Sequence, residues 1–356
     1  MNQNYKLLLM STPVGALGTG QGGGVELTVQ NIAQELQKRG HQLEVVAPEG
    51  SFLTGVAVTG IAGNSQIAVQ TQTRDVPIIL PENSTLGNMW EYARQVQSKY
   101  DLIVNCAFDW LPFYLTPFFS TPIAHFISMG SMTQAADEIM ERMAKLHPDR
   151  IGVYTKSQAE TFAFAEVCEI LSSAIDLALY DFCETPGDSL AWLGRIAPEK
   201  ALEDAVAAAN ITKVPLKIYG KIQDQQYWQQ IQQDFPDAPI EYMGFLNTAD
   251  LQQELGQARA LLMTPRWIEA FGNVAIEALA CGVPVIAYRR GGPSEIVRDG
   301  KTGFLVEPDS VPGLVTAIEN IDSLSRAACR EQAEAEYSLA ALGDRFEAWF
   351  DKILDN

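Results

Sequence analysis

Apolar residues fall in short unbroken runs separated by stretches of helical spacing. "YKLLLMS" (5–11) has the make-up of a buried strand, residues 25–39 carry an amphipathic spacing that ends at Gly40, and "HQLEVVAP" (41–48) supplies a second strand. Strand, glycine-rich loop, helix and strand make a βαβ unit. Runs at "DLIVNCA" (101–107), "TPIAHFIS" (121–128) and "RIGVYTKS" (150–157) alternate with helical patterns, which predicts a parallel sheet covered by helices. After the polar, turn-rich "CETPGDS" (183–189) the cycle restarts. "LAWLGR" (190–195), "PLKIYG" (215–220), "IEYMGF" (240–245), "ARALLMTP" (258–265) and "GVPVIAYR" (282–289) read as strands, and "EKALEDAVAAAN" (199–210) as a helix. The chain is therefore expected to hold two consecutive doubly wound, Rossmann-like α/β domains, over 1–178 and 185–335, with a linker near 176–189. Its 356 residues exceed one typical core and suit two. Residues 336–356 keep apolar positions at helical spacing and are expected to pack as a terminal helix. In such sheets ligands bind beyond the carboxyl ends of the strands, and two domains facing each other form a deep cleft.

Composition narrows the chemistry. Hydrophobic residues make up 47% and charged residues 19%, as in ordinary folded proteins, and no apolar run approaches the roughly 18–20 residues that span a bilayer. The start, "MNQNYKLLLMSTPVG", falls short of a secretory signal. Five scattered cysteines without a C-x-x-C pair, and three distant histidines (His41, His125, His147), lead to an expectation of reduced thiols, a cytoplasmic location and no metal site. Net charge is −19. Residues 1–160 hold 10 basic against 14 acidic residues, a net of −4, and the remainder 15 against 30, a net of −15. Nucleic acid and anionic lipid need basic patches and are poor partners for such a chain. Yet Arg195, Lys200, Lys221, Arg266, Arg289 and Arg290 all neighbour Gly- or Pro-containing loops, which suggests a confined anion site and equally suits solvated surface charge.

The first loop, "GALGTGQGGGVELTV" (15–29), satisfies G-x-G-x-x-G with Gly18, Gly20 and Gly23. That pattern alone fits an NAD-dependent dehydrogenase, with Glu44 or Glu49 as a ribose-binding acid, although "TPVGALGT" sets the loop back from its strand. The segment 264–306, "TPRWIEAFGNVAIEALACGVPVIAYRRGGPSEIVRDGKTGFLV", says more. Glu269 precedes a helix expected to begin near Gly272, and Glu277 lies within it. On a helix that spacing covers about 12 Å with the side chains turned about 80° apart. Between the acids, "FGNVA" places backbone N–H groups at a helix start, which favours phosphate. One carboxylate can then face a transferred group and the other a ribose. Two glutamates on a helix also suit a solvated face.

"E-AFGNVAI-E" followed by "EALACGVPVIAYRRGGPSEIVRDGKTGFLV" resembles the retaining family-4 glycosyltransferases of the GT-B fold. Their signature is two glutamates with seven residues between them, an "ALA-G-PV" helix and strand, and a "GG--E" loop. "WLGRIAPEK" resembles the family's phosphate-contacting G-R-x-x-x-x-K segment, which implies Arg195 and Lys200. "GGGVELTVQNIAQELQKRGHQLEVVAP" resembles its first glycine loop and helix, implying Gly22, Gly23 and Gly24 near donor diphosphate and acceptor. "YMGFL" (242–246) resembles the loop bordering the base, implying Gly244, Phe245 and Leu246, and the last helix resembles one that returns to the first domain. The interdomain stretch "SSAIDLALYDF" departs from the usual N-G-I-D, with Ser173 and Ala174 in place of Asn and Gly.

The resemblance implies transfer of a sugar from a nucleotide sugar with no cofactor or metal. Arg195, Lys200 and the helix start at Phe271, Gly272, Asn273 and Val274 would hold the diphosphate. Glu269 would face the sugar and Glu277 the ribose. The departing phosphate oxygen would take the acceptor's proton. It also implies a histidine beside the sugar, for which His125 is the candidate, although a lone histidine at a strand end also suits a structural role.

For the acceptor, "NCAFDWLPFYLTPFF" (105–119) gathers Phe108, Trp110, Phe113, Tyr114, Phe118 and Phe119 around Asp109. The stretch suits core plus rim, or a platform for a flat acceptor. With "LLLMSTPVGALGTGQGGGVELT" and "TPIAHFISMGS" it resembles cyanobacterial UDP-glucose:tetrahydrobiopterin glucosyltransferases. That implies UDP-glucose as donor, tetrahydrobiopterin as acceptor, and Gly22, Phe108, Asp109, Trp110, His125 and Met129 as its contacts. A lipid- or polysaccharide-directed transferase and a silent sugar-nucleotide binder are the other readings.

Overall fold

The computed structural model describes residues 4–19, 23–67 and 73–355. They divide into two compact units, residues up to Ser173 together with those from Leu339 onward, and Ala174–Ser338. The first holds a seven-stranded sheet of order β3-β2-β1-β4-β5-β6-β7, parallel throughout. Its strands are β1 (Lys6–Met10), β2 (Gln42–Pro48), β3 (Ala57–Ile61), β4 (Leu102–Asn105), β5 (Ile123–Ile127), β6 (Ile151–Val153) and β7 (Cys168–Ile170). Helices α1 (Gly23–Lys38), α2 (Thr85–Val96), α3 (Trp110–Leu115), α4 (Gln134–Leu146) and α5 (Lys156–Ala159) connect them. Leu7 to Met10 are fully buried because a central parallel strand is covered on both faces. On one face Leu8, Met10, Val46 and Ile103 pack under Met89, Trp90 and Ala93 of α2. That helix starts where the Ser84 hydroxyl accepts the Gly87 N–H at 3.2 Å.

The second unit is a six-stranded parallel sheet of order β10-β9-β8-β11-β12-β13. Its strands are β8 (Leu190–Leu193), β9 (Leu216–Tyr219), β10 (Ile240–Gly244), β11 (Leu261–Met263), β12 (Val285–Tyr288) and β13 (Gly303–Val306). Its helices are α6 (Leu202–Thr212), α7 (Gln225–Asp234), α8 (Thr248–Gly256), α9 (Asn273–Ala280), α10 (Pro293–Ile296), α11 (Val311–Asn320) and α12 (Arg326–Glu336). Trp192, Ile218, Leu262 and Ile286 share a core with Leu202, Val206, Leu314 and Ile318 of α6 and α11. The last helix, α13 (Leu339–Leu354), belongs to the first unit. Arg39 binds Asp344 and Glu347 of α13 at 2.8 and 2.7 Å, and the Tyr5 hydroxyl donates to Asp351 at 2.6 Å. Among the described residues no helix is long and apolar enough to cross a membrane.

Three strands are not among those the apolar runs predict. β3 and β7 are half-exposed edge strands, and β13 is a short arm of the loop after α10. The segment expected as a linker is part of the second unit. The Cys183 N–H bonds the Cys281 carbonyl at 3.1 Å, the Gly187 N–H bonds the Gln257 carbonyl at 2.7 Å, and Arg326 Nε donates to the Cys183 carbonyl at 2.6 Å. The division falls instead at Ser173, just after Ser172, which takes the left-handed conformation at φ 59°. Helix α6 begins later than its spacing suggested, because Pro198–Lys200 forms a 3-10 turn that ends at Ala201 with φ 45°. That turn places Lys200 in a loop.

In each sheet the chain reverses its winding once, between β1 and β4 in the first and between β8 and β11 in the second. The carboxyl ends of these pairs are where doubly wound sheets hold ligands.

Candidate functional site

In the second unit the switch point is occupied by the expected residues. Arg195 and Lys200 follow β8, and Glu269 follows β11. Thr264 joins the two loops, its hydroxyl reaching the Ala201 carbonyl at 2.8 Å, and the Arg266 N–H bonds the Glu199 carbonyl at 2.9 Å. Lys200 Nζ thereby forms an ion pair with Glu269 Oε2. The same oxygen accepts the Trp267 indole N–H at 3.0 Å. Lys200 Nζ lies 4.9 Å and the Arg195 guanidinium carbon 5.9 Å from the centre of the Trp267 ring. Arg195 is also bound to Gln223 and, at 2.9 Å, to Glu199. Burial by itself would raise the Glu269 carboxyl, but Lys200 and the indole N–H outweigh it and hold the group below the usual carboxylate range.

Gly272, with φ 99°, turns the chain into α9, whose first residues are Asn273 and Val274. A helix leaves its first N–H groups without intrahelical partners, so this end suits an anion. The Asn273 side-chain oxygen is buried with no hydrogen-bond partner. Phe271 is buried against Tyr337. One turn into α9, Glu277 accepts the hydroxyl of buried Tyr180, a residue that no sequence signal marked. Burial pushes the Glu277 carboxyl up to about 7, against the opposing pull of that hydroxyl. A group titrating at about 7 when folded and near 4.5 when unfolded binds more protons in the folded state. Its contribution to stability is complete at acid pH and lost as pH rises through 7. Glu277→Gln should therefore raise the melting temperature at pH 8 and leave it unchanged at pH 4, as thermal unfolding at the two pH values would show.

The GG--E loop serves the same site from below. The Gly292 N–H donates to the Glu269 carbonyl at 2.7 Å. A Cβ on Gly291 would stand 2.6 Å from that carbonyl oxygen, and one on Gly292 2.2 Å from the Phe271 oxygen. The other loop cations separate. Arg290 is clamped to Asp309 at 2.8 Å and to the Pro265 carbonyl at 3.0 Å, Arg266 to Glu203 and Asp204, and Arg289 to Asp299 at 3.1 Å. They brace loops. Lys221 instead lies 4.5 Å over the ring of exposed Phe245, next to Gly244 and Leu246 at the end of β10.

The first unit places its candidate residues differently from one another. His125 lies in the middle of β5, fully buried, stacked on Phe113 at 4.3 Å. Its Nδ1 accepts from Asn105 at 3.1 Å and its Nε2 meets Thr116 Oγ1 at 2.9 Å, while that hydroxyl donates to the Pro112 carbonyl. The ring is thus neutral with the proton on Nε2. Burial, helped by Arg150 and His147, lowers it to about 3. Both ring nitrogens are thus occupied inside the core, as the structural role for a strand histidine calls for. Gly18 is likewise a turn residue, since a Cβ there would meet the Phe52 carbonyl oxygen at 2.2 Å. Gly20 and Gly22 lie outside the described residues; Gly23 opens α1 and Gly24 is exposed.

The aromatic stretch splits. Phe108 and Phe113 are core, whereas Trp110 stacks on exposed Tyr114 at 4.4 Å and Phe118 is exposed. Asp109 stands before α3 at the end of β4, its carboxylate accepting from Gln66 at 3.0 Å, and burial raises it above the usual range. Met129 is half-buried, its carbonyl accepting from Gln158. Glu44 has no room for a ribose. It is bound by Tyr92 at 2.6 Å, by Tyr100, and by Thr59 at 2.8 Å.

Both units resemble known proteins. Residues 188–336 match the family described as glycosyl transferases group 1, and residues 22–128 match glycosyltransferase family 4. A D-inositol 3-phosphate glycosyltransferase of Nocardia farcinica is 27% identical, over 94% of this chain and 85% of its own. Its counterpart from Rhodococcus opacus is 24% identical, over 89% and 82%. Among solved structures, Anabaena HepE in complex with UDP superposes with a TM-score of 0.77 at 17% identity, covering 98% of this chain and all of that one. Sucrose-phosphate synthase of Thermosynechococcus elongatus gives 0.77 at 18%, covering 99% and 100%. The fold is GT-B, with the two parallel-sheet domains described above.

Proposed function

The chain is a family-4 glycosyltransferase, and we propose that it moves glucose from UDP-glucose to a small flat acceptor such as tetrahydrobiopterin, keeping the anomeric configuration. The observation that carries the donor half is Glu269, held between Lys200 and Trp267 at the carboxyl ends of β8 and β11, one turn ahead of the α9 N-terminus. Lys200 and Arg195 neutralise the leaving diphosphate, Lys200 as a point charge and Arg195 through its fork, with the N–H groups of Asn273 and Val274 beside them. Glu269 faces the sugar as positive charge develops at its anomeric carbon. Glu277 accepts the ribose hydroxyls. The bond from the anomeric carbon to the diphosphate oxygen breaks, the bond to the acceptor forms, and the acceptor's proton passes to the departing oxygen. UDP-glucose is supported by its presence in a solved complex of HepE, which shares the fold.

On the first unit, the Trp110–Tyr114 stack offers a ring face and Asp109 an acceptor for the N–H edge of a pterin. A small polyol phosphate is the second reading, favoured by the near full-length relatives named for D-inositol 3-phosphate. The test is mass spectrometry of purified protein with UDP-glucose and EDTA, offered tetrahydrobiopterin and inositol phosphate in turn. A glucosylated pterin is expected. A glucosylated inositol phosphate would move the assignment to the second reading, and UDP release with both acceptors unmodified would leave only the donor half.

A further inference from the structure

Trp267 has no place in the sequence signature, yet it meets Arg195, Lys200 and Glu269 together. The indole N–H donates to Glu269 Oε2, the atom that also pairs with Lys200, and the ring lies within 5.9 Å of both cations. We infer that Trp267 is a positioning residue, whose ring holds Arg195 and Lys200 without neutralising them and whose N–H keeps Glu269 in place when a donor diphosphate draws Lys200 away.

The physical case has three parts. A carboxylate partner cancels a cation's charge, whereas an aromatic face attracts it through the ring quadrupole and leaves the full charge for the diphosphate. An indole N–H is a donor only, so a phosphate oxygen can compete for it but no cation can take it from the carboxylate. The backbone leading into Trp267 is also held at two successive residues. The Arg266 N–H is bound to the Glu199 carbonyl at 2.9 Å, and the Pro265 carbonyl accepts from Arg290 at 3.0 Å. An incoming diphosphate has then to displace Glu269 from Lys200, on its flexible stem, and Glu199 from Arg195. Trp267 stays, and Glu269 retains one donor throughout.

The inference rests on the donor reading above, and its test separates the two. Wild type, Trp267→Phe and Trp267→Leu are compared as full chains. UDP affinity is read by calorimetry, slow UDP release from UDP-glucose in water is followed across pH, and melting temperature is recorded. Trp267→Phe keeps the ring face and loses the N–H. It should bind UDP within about twofold of wild type, show a lower kcat, and move the acidic limb of the kcat profile up by about one pH unit, because Glu269 loses a hydrogen bond to its charged form. Trp267→Leu should in addition weaken UDP about tenfold. Variants that change melting temperature alone, or lower kcat with the acidic limb unmoved, would overturn the inference and leave the donor reading standing. Wild type without measurable UDP affinity would overturn both. Should Trp267→Leu fail to fold, the pH profile of Trp267→Phe decides the matter.

Discussion

Glu269→Gln will lower kcat by on the order of 10²- to 10³-fold while UDP binds as tightly as before or more tightly. The amide keeps the shape and can still accept the Trp267 N–H, so the loop after β11 holds its geometry. What disappears is the negative charge facing the sugar. With that charge gone, Lys200 loses its ion-pair partner and gives its whole charge to the diphosphate. A loss of kcat with KM unchanged or lower, read from UDP release and calorimetry, is the mark of a group that acts on the transition state. Equal loss of nucleotide affinity and turnover would reduce Glu269 to a tether for Lys200.

Gly292→Ala is the second large effect, and it reaches the same carboxylate through the backbone. The new Cβ would fall 2.2 Å from the Phe271 oxygen and 2.5 Å from its Cα, which are backbone atoms with no rotamer to yield. The turn must therefore open, and the bond from the Gly292 N–H to the Glu269 carbonyl goes with it. We expect a destabilisation above about 3 kcal/mol, the range of severe single substitutions. In whatever fraction stays folded, a shift of about 1 Å at Glu269 should cost roughly 10²-fold in rate. Denaturant unfolding and specific activity per folded molecule check the two parts. Wild-type stability would mean the two loops part easily.

Much of this was legible without coordinates. Continuous apolar runs announced β1, β2, β4, β5, β6 and most of the second sheet, because interior parallel strands are buried on both faces. The half-exposed β3 and β7 carried no such run. Glu269, Glu277, Arg195 and Lys200 stood in a local spacing, since each loop leaves one strand end and the next helix begins close by. The Ser-Ala departure at 173–174 was also visible, but not that the left-handed turn would fall on Ser172.

Sequence by itself determined the two doubly wound domains, the acids flanking a helix start, and the loops that carry cations, all properties of residues near one another along the chain. Tertiary structure alone decided which partner each of those cations meets. Arg266, Arg289 and Arg290 pair with Glu203, Asp204, Asp299 and Asp309, Lys200 pairs with Glu269 beside Trp267, and His125 is enclosed by Asn105, Thr116 and Phe113. Charge and hydrogen-bonding capacity are set by residue type. Whether they are already spent depends on partners brought in from distant parts of the chain, and no local spacing records those.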